Sequence, residues 1–351
     1  MANKKKEDGC DYIAEIKKLK SDGPQRLYLL RGSEDYLRES FLDTLKKTVL
    51  PDGDDGFSYK RFDGPEIDPV DFSSAVDLMP FLSDRTMIEL RDIDFNKCEE
   101  ADELCNIISN IPEYCTVVFV IPAGYETDGR LKLIRAIKKA GCELIFEAQP
   151  QTLLFNWIDK RFAARGKKIG SKEKMRLVSI SGDLMNRLIP EIDKISAYTY
   201  GEEVQISDID AVADKIPEAQ AFDMINLIGE KKYDDAFAVL TELVKSSDNS
   251  PVAMISALGY QLRRTFGTKL MLCSECGKRD IMDFFNIRYD FVYDNMVVSA
   301  KKFSFDSLIN GIEACVSAEL RMKSSSSDDN EVFRDAMLSL MTGIKYGETA
   351  N

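Results

Sequence analysis

The chain has 351 residues, a net charge of −13, eight cysteines and no histidine. That length exceeds one ordinary core and implies two or three domains. The lack of histidine excludes Ser-His-Asp and Cys-His catalysis and His-ligated metals, and the acidity excludes a general nucleic-acid coat.

No apolar run approaches the ~20 residues that cross a bilayer, and "MANKKKEDGC" has no apolar segment behind its lysines. These features predict a soluble, cytoplasmic protein. "DYIAEIKKLK" places Ile13, Ile16 and Leu19 on one helical face. Strand patterns follow at 26–30, 58–62, 86–90, 116–121 and 143–147, separated by helix-length segments at 36–49, 68–78, 100–109 and 129–140. This alternation predicts βαβ units with a mainly parallel sheet, and the all-apolar "TVVFVI" suits its centre. After residue 148 only helical patterns are expected. "QTLLFNWIDKRFAARG" ends on Gly166, Ser207 and Asp210 resemble a capping box, and Pro251 suits a helix start. The polar "SSSSDDN" (324–330) reads as a loop between the last two helices. The predicted organisation is an α/β domain (1–147), a small helical domain (148–216) and a larger helical domain (217–351).

The stretch "YLLRGSEDYLRES" has the outline of a phosphate-binding loop without its key groups. In GxxxxGK[ST] the amides surround phosphate, Lys reaches the β/γ-phosphates and Ser/Thr binds magnesium. Aligned from Gly32, those last three positions hold Leu37, Arg38 and Glu39. Leu37 lacks the freedom of Gly, and Arg38 lacks the compact ammonium. Glu34 and Asp35 fall at the helix start where phosphate would sit. Ser33 is the expected N-cap, and Leu37, Phe41, Leu42 and Leu45 form the expected sheet-facing stripe. We expect no ATP binding here and no cofactor.

Other candidates have bland readings beside the sharp ones. Glu89, Asp92 and Asp94 could hold magnesium, but without a phosphate cradle they read as a solvated strand end. Cys273 and Cys276 form one CxxC pair, too few ligands for structural zinc, so reduced thiols and no metal are expected. Eight basic residues crowd 159–176: Lys160, Arg161, Arg165, Lys167, Lys168, Lys172, Lys174 and Arg176, against Asp159 and Glu173. They could touch DNA phosphates or an acidic subunit, or form a solvated face. Lys301 and Lys302 beside Phe303 and Phe305 are a weaker basic-aromatic candidate. In "DLMPFLSDR" the chain turns at Pro80 and presents Phe81 and Leu82 before polar Ser83, Asp84 and Arg85. Two adjacent bulky residues on a turn make a compact hot spot if exposed, and ordinary core if packed under the helix.

The order of these motifs resembles the delta subunit of the bacterial DNA polymerase III clamp loader. The resemblance rests on "YLLRGSEDYLRE", "MPFLSDRTMIELRDI", "TVVFVIPAGYETDGRLKLIRAI" with Asp128, Arg130 and Lys132, "SGDLMNRLIPEIDKISAY" with Glu191 and Lys194, and "AQAFDMINLI". Pro190 is a departure and marks an expected helix start or kink. The resemblance implies an AAA+-like N-terminal domain with a RecA-type parallel sheet but no ATPase activity, a small helical lid and a C-terminal helical collar. It implies an accessory subunit of a DNA-directed DNA polymerase holoenzyme with no catalytic site of its own. The implied partners are the ring-shaped sliding (beta) clamp, gamma/tau ATPase subunits and a delta-prime subunit in a pentamer, and primed DNA. Met79, Pro80, Phe81, Leu82 and Arg85 become the implied clamp contact. Lys160, Arg161, Arg165, Lys167 and Lys168 are a weaker DNA or subunit contact. The residues alone leave open a degenerate P-loop NTPase, or a helical scaffold with an α/β head and unrelated partners.

Overall fold

A computed structural model describes residues 12–53, 56–81, 83–98, 100–125, 128–245, 250–324 and 328–342; for 242–245 it describes the backbone alone. By its internal packing the chain falls into two units, Met1–Ala148 with Leu184–Asn186, and Gln149–Asp183 with Arg187–Asn351.

The first unit runs α1 (Tyr12–Ser21), β1 (Leu27–Arg31), α2 (Asp35–Val49), β2 (Tyr59–Asp63), α3 (Pro69–Val76), β3 (Thr86–Arg91), α4 (Ala101–Ser109), β4 (Cys115–Val120), α5 (Lys132–Ala140) and β5 (Cys142–Ile145). The five strands form one parallel sheet in the order β2-β3-β4-β1-β5. Side chains alternate faces along a strand, so each central strand feeds two cores. Leu27, Leu29, Ile88, Leu90, Val117 and Phe119 pack with Phe72 of α3, Leu104 of α4 and Ile134 of α5. Tyr28, Leu30, Met87, Val118 and Val120 pack with Leu19 of α1 and with Phe41, Leu42 and Leu45 of α2. Burial on both faces explains why β4 is apolar at nearly every position. β2 lies at the sheet edge and exposes Lys60, Arg61 and Asp63, charges that discourage pairing with another chain.

Two local expectations change here. Ile13 lies outward, so the inward stripe of α1 is carried by Leu19, with Ile16 and Tyr12 partly buried beside it. α3 stops at Val76, short of the expected 78. It opens with Asp68 accepting from the Val70 amide (2.8 Å) and Pro69 in its first turn.

The second unit contains α6 (Gln151–Ala163), β6 (Lys168–Ile169), α7 (Ser171–Ser181), α8 (Met185–Tyr198), β7 (Glu203–Val204) and α9 (Ile206–Val212). It continues with α10 (Pro217–Gly229), α11 (Tyr233–Lys245), α12 (Pro251–Cys273), α13 (Lys278–Phe284), α14 (Asp290–Lys302), α15 (Phe305–Ser324) and α16 (Asp329–Thr342). The first two residues of α8 group with the first unit. Strands do not stop at 148 as expected, because β6 and β7 form a two-stranded parallel sheet. α8 runs unbroken through Pro190, whose ring is exposed. The capping box of α9 sits two residues earlier than expected: Asp208 accepts from the Gln205 amide (3.0 Å), while Asp210 pairs with Arg176 (2.7 Å). α10, α11, α12, α15 and α16 share one core that includes Met224, Leu240, Leu258, Leu262, Leu308 and Phe333. Gly311 lets helices approach closely in it: a Cβ there would lie 2.5 Å from Leu340 Cδ1 and 3.2 Å from Leu262 Cδ1, and those side chains would have to shift. Of 324–330, residues 325–327 lie outside the described ones, as does Cys10. No helix among the described residues is long and apolar enough to cross a membrane.

Candidate interaction site

The loop after β1 explains the absent phosphate cradle. Gly32 has φ +124°, and a Cβ there would lie 2.1 Å from the carbonyl oxygen of Phe146. The Glu34 amide donates to that same oxygen (3.0 Å). Gly32 is therefore required by close backbone approach to Phe146, whether or not phosphate is present. Ser33 is exposed and is not the cap; Glu34 holds that position and makes no side-chain bond to the helix. Its carboxylate is fully buried and accepts from the Met185 amide (3.2 and 3.3 Å), a residue of the same unit. Glu34 thus serves a neighbouring segment of the same unit.

The three aligned P-loop positions all have internal roles. Leu37 is half-buried against the Tyr28–Phe41 core. Arg38 is buried, donating to the Gly32 carbonyl (3.2 Å) and to Asp35 (2.5 Å). Glu39 takes a two-pronged bond from Arg91 (2.7 and 3.0 Å), whose Nε donates to Glu89.

The acids of 88–94 are not one solvated cluster. Glu89 is 2% exposed and also accepts from the Tyr59 hydroxyl (2.6 Å). The strand-end reading fails for it because its side chain faces an arginine and a phenol within the fold. Asp94 accepts from Tyr125 (2.6 Å), and that bond, followed by the Asn96 amide, holds its carboxyl below the usual range. Among the described residues no group of three Cys, Asp or Glu could hold a metal.

The segment after α3 differs in kind. Leu78, Met79 and Phe81 are 50%, 74% and 83% exposed. Pro80 is half-buried, and Leu82 lies outside the described residues. The alternative that Phe81 packs under the helix is excluded by its exposure. The loop is nonetheless held. The Ser83 hydroxyl lies 2.6 Å from that of Ser58 and 2.7 Å from the Arg85 carbonyl. Arg85 donates to the Glu113 carbonyl (3.2 Å), and Tyr114 reaches the Asp77 carbonyl (3.3 Å). An aromatic side chain in water on an anchored turn has the geometry of a binding hot spot. Phe57 (67% exposed) also lies near this loop, one residue from Ser58. Sequence reasoning missed Phe57 and Leu78, because only the sheet brings β2 beside the loop before β3.

The basic run is largely neutralised. Lys174 is buried on Asp159 (2.7 Å), Arg165 pairs with Asp193, Lys168 with Glu202 (3.1 Å) and Arg176 with Asp210. Lys167 donates to the carbonyls of Thr199 and Gly201 (both 2.7 Å), and Arg161 lies over the Trp157 ring (5.1 Å). Lys160 and Lys172 are exposed. Most of the basic-aromatic candidate is engaged within the fold: Lys302 pairs with Glu230 (2.7 Å), Phe303 is buried and Phe305 packs edge-on to Phe266, while Lys301 is exposed. Arg130 pairs with Asp128 (2.9 Å) and Lys132 with Asp102 (2.5 Å). Lys194 bridges Glu191 (2.9 Å) and Asp214 (2.7 Å). Cys273 and Cys276 are free thiols, the first exposed.

Comparison with known proteins agrees with this layout. A family model described as "DNA polymerase III, delta subunit" matches residues 28–147, and one described as "DNA polymerase III delta subunit, C-terminal domain" matches 218–340. The chain is similar to the DNA polymerase III subunit delta of Bacillus subtilis (strain 168), 23% identical over 334 residues, covering 93% of this chain and 95% of that one. Its fold is similar to the solved structure of the Bacillus subtilis DNA clamp loader delta protein, with a TM-score of 0.56 at 21% identity, covering 94% of this chain and 99% of that one. The two matched stretches together span more than half of the sequence, share one family and flank the helices that follow the sheet; the chain belongs to the DNA polymerase III delta subunit family.

Proposed function

We propose that this chain is the clamp-opening subunit of a bacterial clamp loader. It binds the sliding clamp through the loop carrying Met79, Pro80, Phe81 and Leu82, braced by Arg85, and opens the ring for loading onto primed DNA. The observation that carries the reading is Phe81, 83% exposed on a loop that Ser83 and Arg85 tie down. A fixed aromatic knob loses little freedom on binding, so its burial in a partner pocket is realised as affinity. Opening the ring requires no chemistry in this subunit. It requires only that the loop bind the open ring more tightly than the closed one.

In this reading the chain hydrolyses no ATP and works in the bacterial cytoplasm beside gamma/tau ATPases and a delta-prime subunit. Residues 148–216 serve as the lid and 217–351 as the collar. DNA or a subunit meets the basic run at exposed Lys160, beside Arg161. Arg165, Lys167 and Lys168 mainly support the local structure.

The test is binding of the purified clamp to the full chain by calorimetry. Wild type should bind. Phe81→Ala with Leu82→Ala should weaken binding by at least roughly thirty-fold, the ~2 kcal/mol of one hot-spot side chain, with circular dichroism and melting unchanged. Wild-type affinity in a folded double variant would sink the assignment.

A further inference from the structure

Phe81 is so exposed that little packing of its own fixes where its ring points. Its direction is set by the backbone of the loop between α3 and β3, and that backbone depends on what holds its ends. Both ends run to one residue. At the entry, the Tyr114 hydroxyl donates to the carbonyl of Asp77, the first residue after α3 (3.3 Å). At the exit, the Thr86 amide donates to the Tyr114 carbonyl (2.8 Å), and Arg85 donates to the adjoining Glu113 carbonyl (3.2 Å).

Tyr114 is a fixed base for these ties. It sits in the turn from α4 into β4, closed by the Cys115 amide on the Pro112 carbonyl (3.1 Å). Ile111 and Cys115 on either side are buried in the sheet core, and the Tyr114 ring packs half-buried against the same core. Arg26, just before β1, donates to the Ile111 carbonyl (3.3 Å). The ties at the two ends differ in kind. The bond to Thr86 continues the β3–β4 pairing, so the sheet itself needs it. The hydroxyl bond to Asp77 belongs to no helix or strand. A phenylalanine ring would fill the same place in the core without it.

We propose that Tyr114 is a positioning residue for clamp binding: through the Asp77 carbonyl its hydroxyl fixes the entry of the loop and so aims Phe81. This inference rests on the clamp-binding reading. A loop held firmly at its exit alone samples directions in which Phe81 misses its pocket. Affinity then falls by the fraction of the time spent in them. With both ends on one turn, the knob is aimed before the clamp arrives, and less freedom is lost on binding.

The test compares wild type, Tyr114→Phe, Phe81→Ala and the double variant as full chains, by clamp calorimetry and by ¹⁵N relaxation of the free chain. Tyr114→Phe removes one oxygen and should melt within about 3 °C of wild type. It should lower the order parameter of the Phe81 amide in the free chain and weaken clamp binding roughly three- to ten-fold, the range of one net hydrogen bond. In the Phe81→Ala background the same change should alter affinity less than about two-fold, because the residue acts through Phe81. Wild-type loop order and affinity in Tyr114→Phe would overturn the proposal. So would a larger fall in melting temperature, which would make the hydroxyl a general stabiliser. An undiminished loss in the Phe81→Ala background would mean that Tyr114 touches the clamp itself, and would overturn it too. In each of these cases weaker binding by Phe81→Ala alone leaves the clamp reading standing. If the wild-type chain binds no clamp, both fall.

Discussion

Arg38 Nη2 lies 2.5 Å from Asp35 Oδ1, one turn apart at the start of α2, and the same guanidinium donates to the Gly32 carbonyl. The residue aligned with the phosphate-binding lysine is thus engaged by its own loop. Mg-ATP should give no calorimetric binding in the micromolar range and no rise in melting temperature. A ligand at a hundred times its Kd would add ~2.7 kcal/mol of stability, so a clear thermal shift would contradict this reading.

Arg91 joins buried Glu89 to Glu39. Arg91→Ala leaves Glu89 buried with the Tyr59 hydroxyl alone, and should cost roughly 3 kcal/mol, as when one member of a buried pair is removed. Urea denaturation measures the loss. Glu89→Gln in the Arg91→Ala background should restore part of it, since the uncompensated charge is then gone.

Burial pushes the Cys115 thiol up to about 11 and the Cys315 thiol up to about 12. The thiolate is the reactive form. Ellman's reagent at pH 8 should label exposed Cys273 quickly and leave Cys115 and Cys315 untouched until urea is added. Equal rates at Cys273 and Cys315 in the folded chain would contradict the packing of α12 against α15.

Glu230 is held down to about 2 from its ordinary 4.5 by the ammonium groups of Lys232 and then Lys302. A lowered carboxyl contributes stability above its unfolded pKa and loses it as pH falls through the folded one. The small contribution of this surface pair should therefore fade from about pH 4.5 towards 2. Carboxyl NMR should show Glu230 titrating well below 4.5 on acidification, and Lys232→Ala should return it towards 4.5.

The sheet was legible because central parallel strands are buried on both faces and read as short apolar runs, as "TVVFVI" does. The candidate site was only half legible. Phe81 stood out as bulk on a turn, but its exposure could not be read from its neighbours. Leu78 was assigned to α3, and Phe57 passed unnoticed because its closeness to the 78–83 loop depends on β2 pairing with β3. The basic run misled in the other direction. Its lysines and arginines are clustered in sequence, yet Asp193, Glu202 and Asp210 reach them from elsewhere in the fold.

By itself the sequence determined the α/β-then-helical order and the loss of the P-loop groups at Leu37, Arg38 and Glu39, because periodicity and residue type are local properties. Only the tertiary structure decided what Gly32, Glu34 and Glu39 of that stretch do instead. Gly32 is kept by the Phe146 carbonyl, Glu34 is turned to Met185, and Glu39 is bound to Arg91. Each depends on a partner at least 50 residues away, and a long-range partner is fixed by packing, which no local pattern encodes.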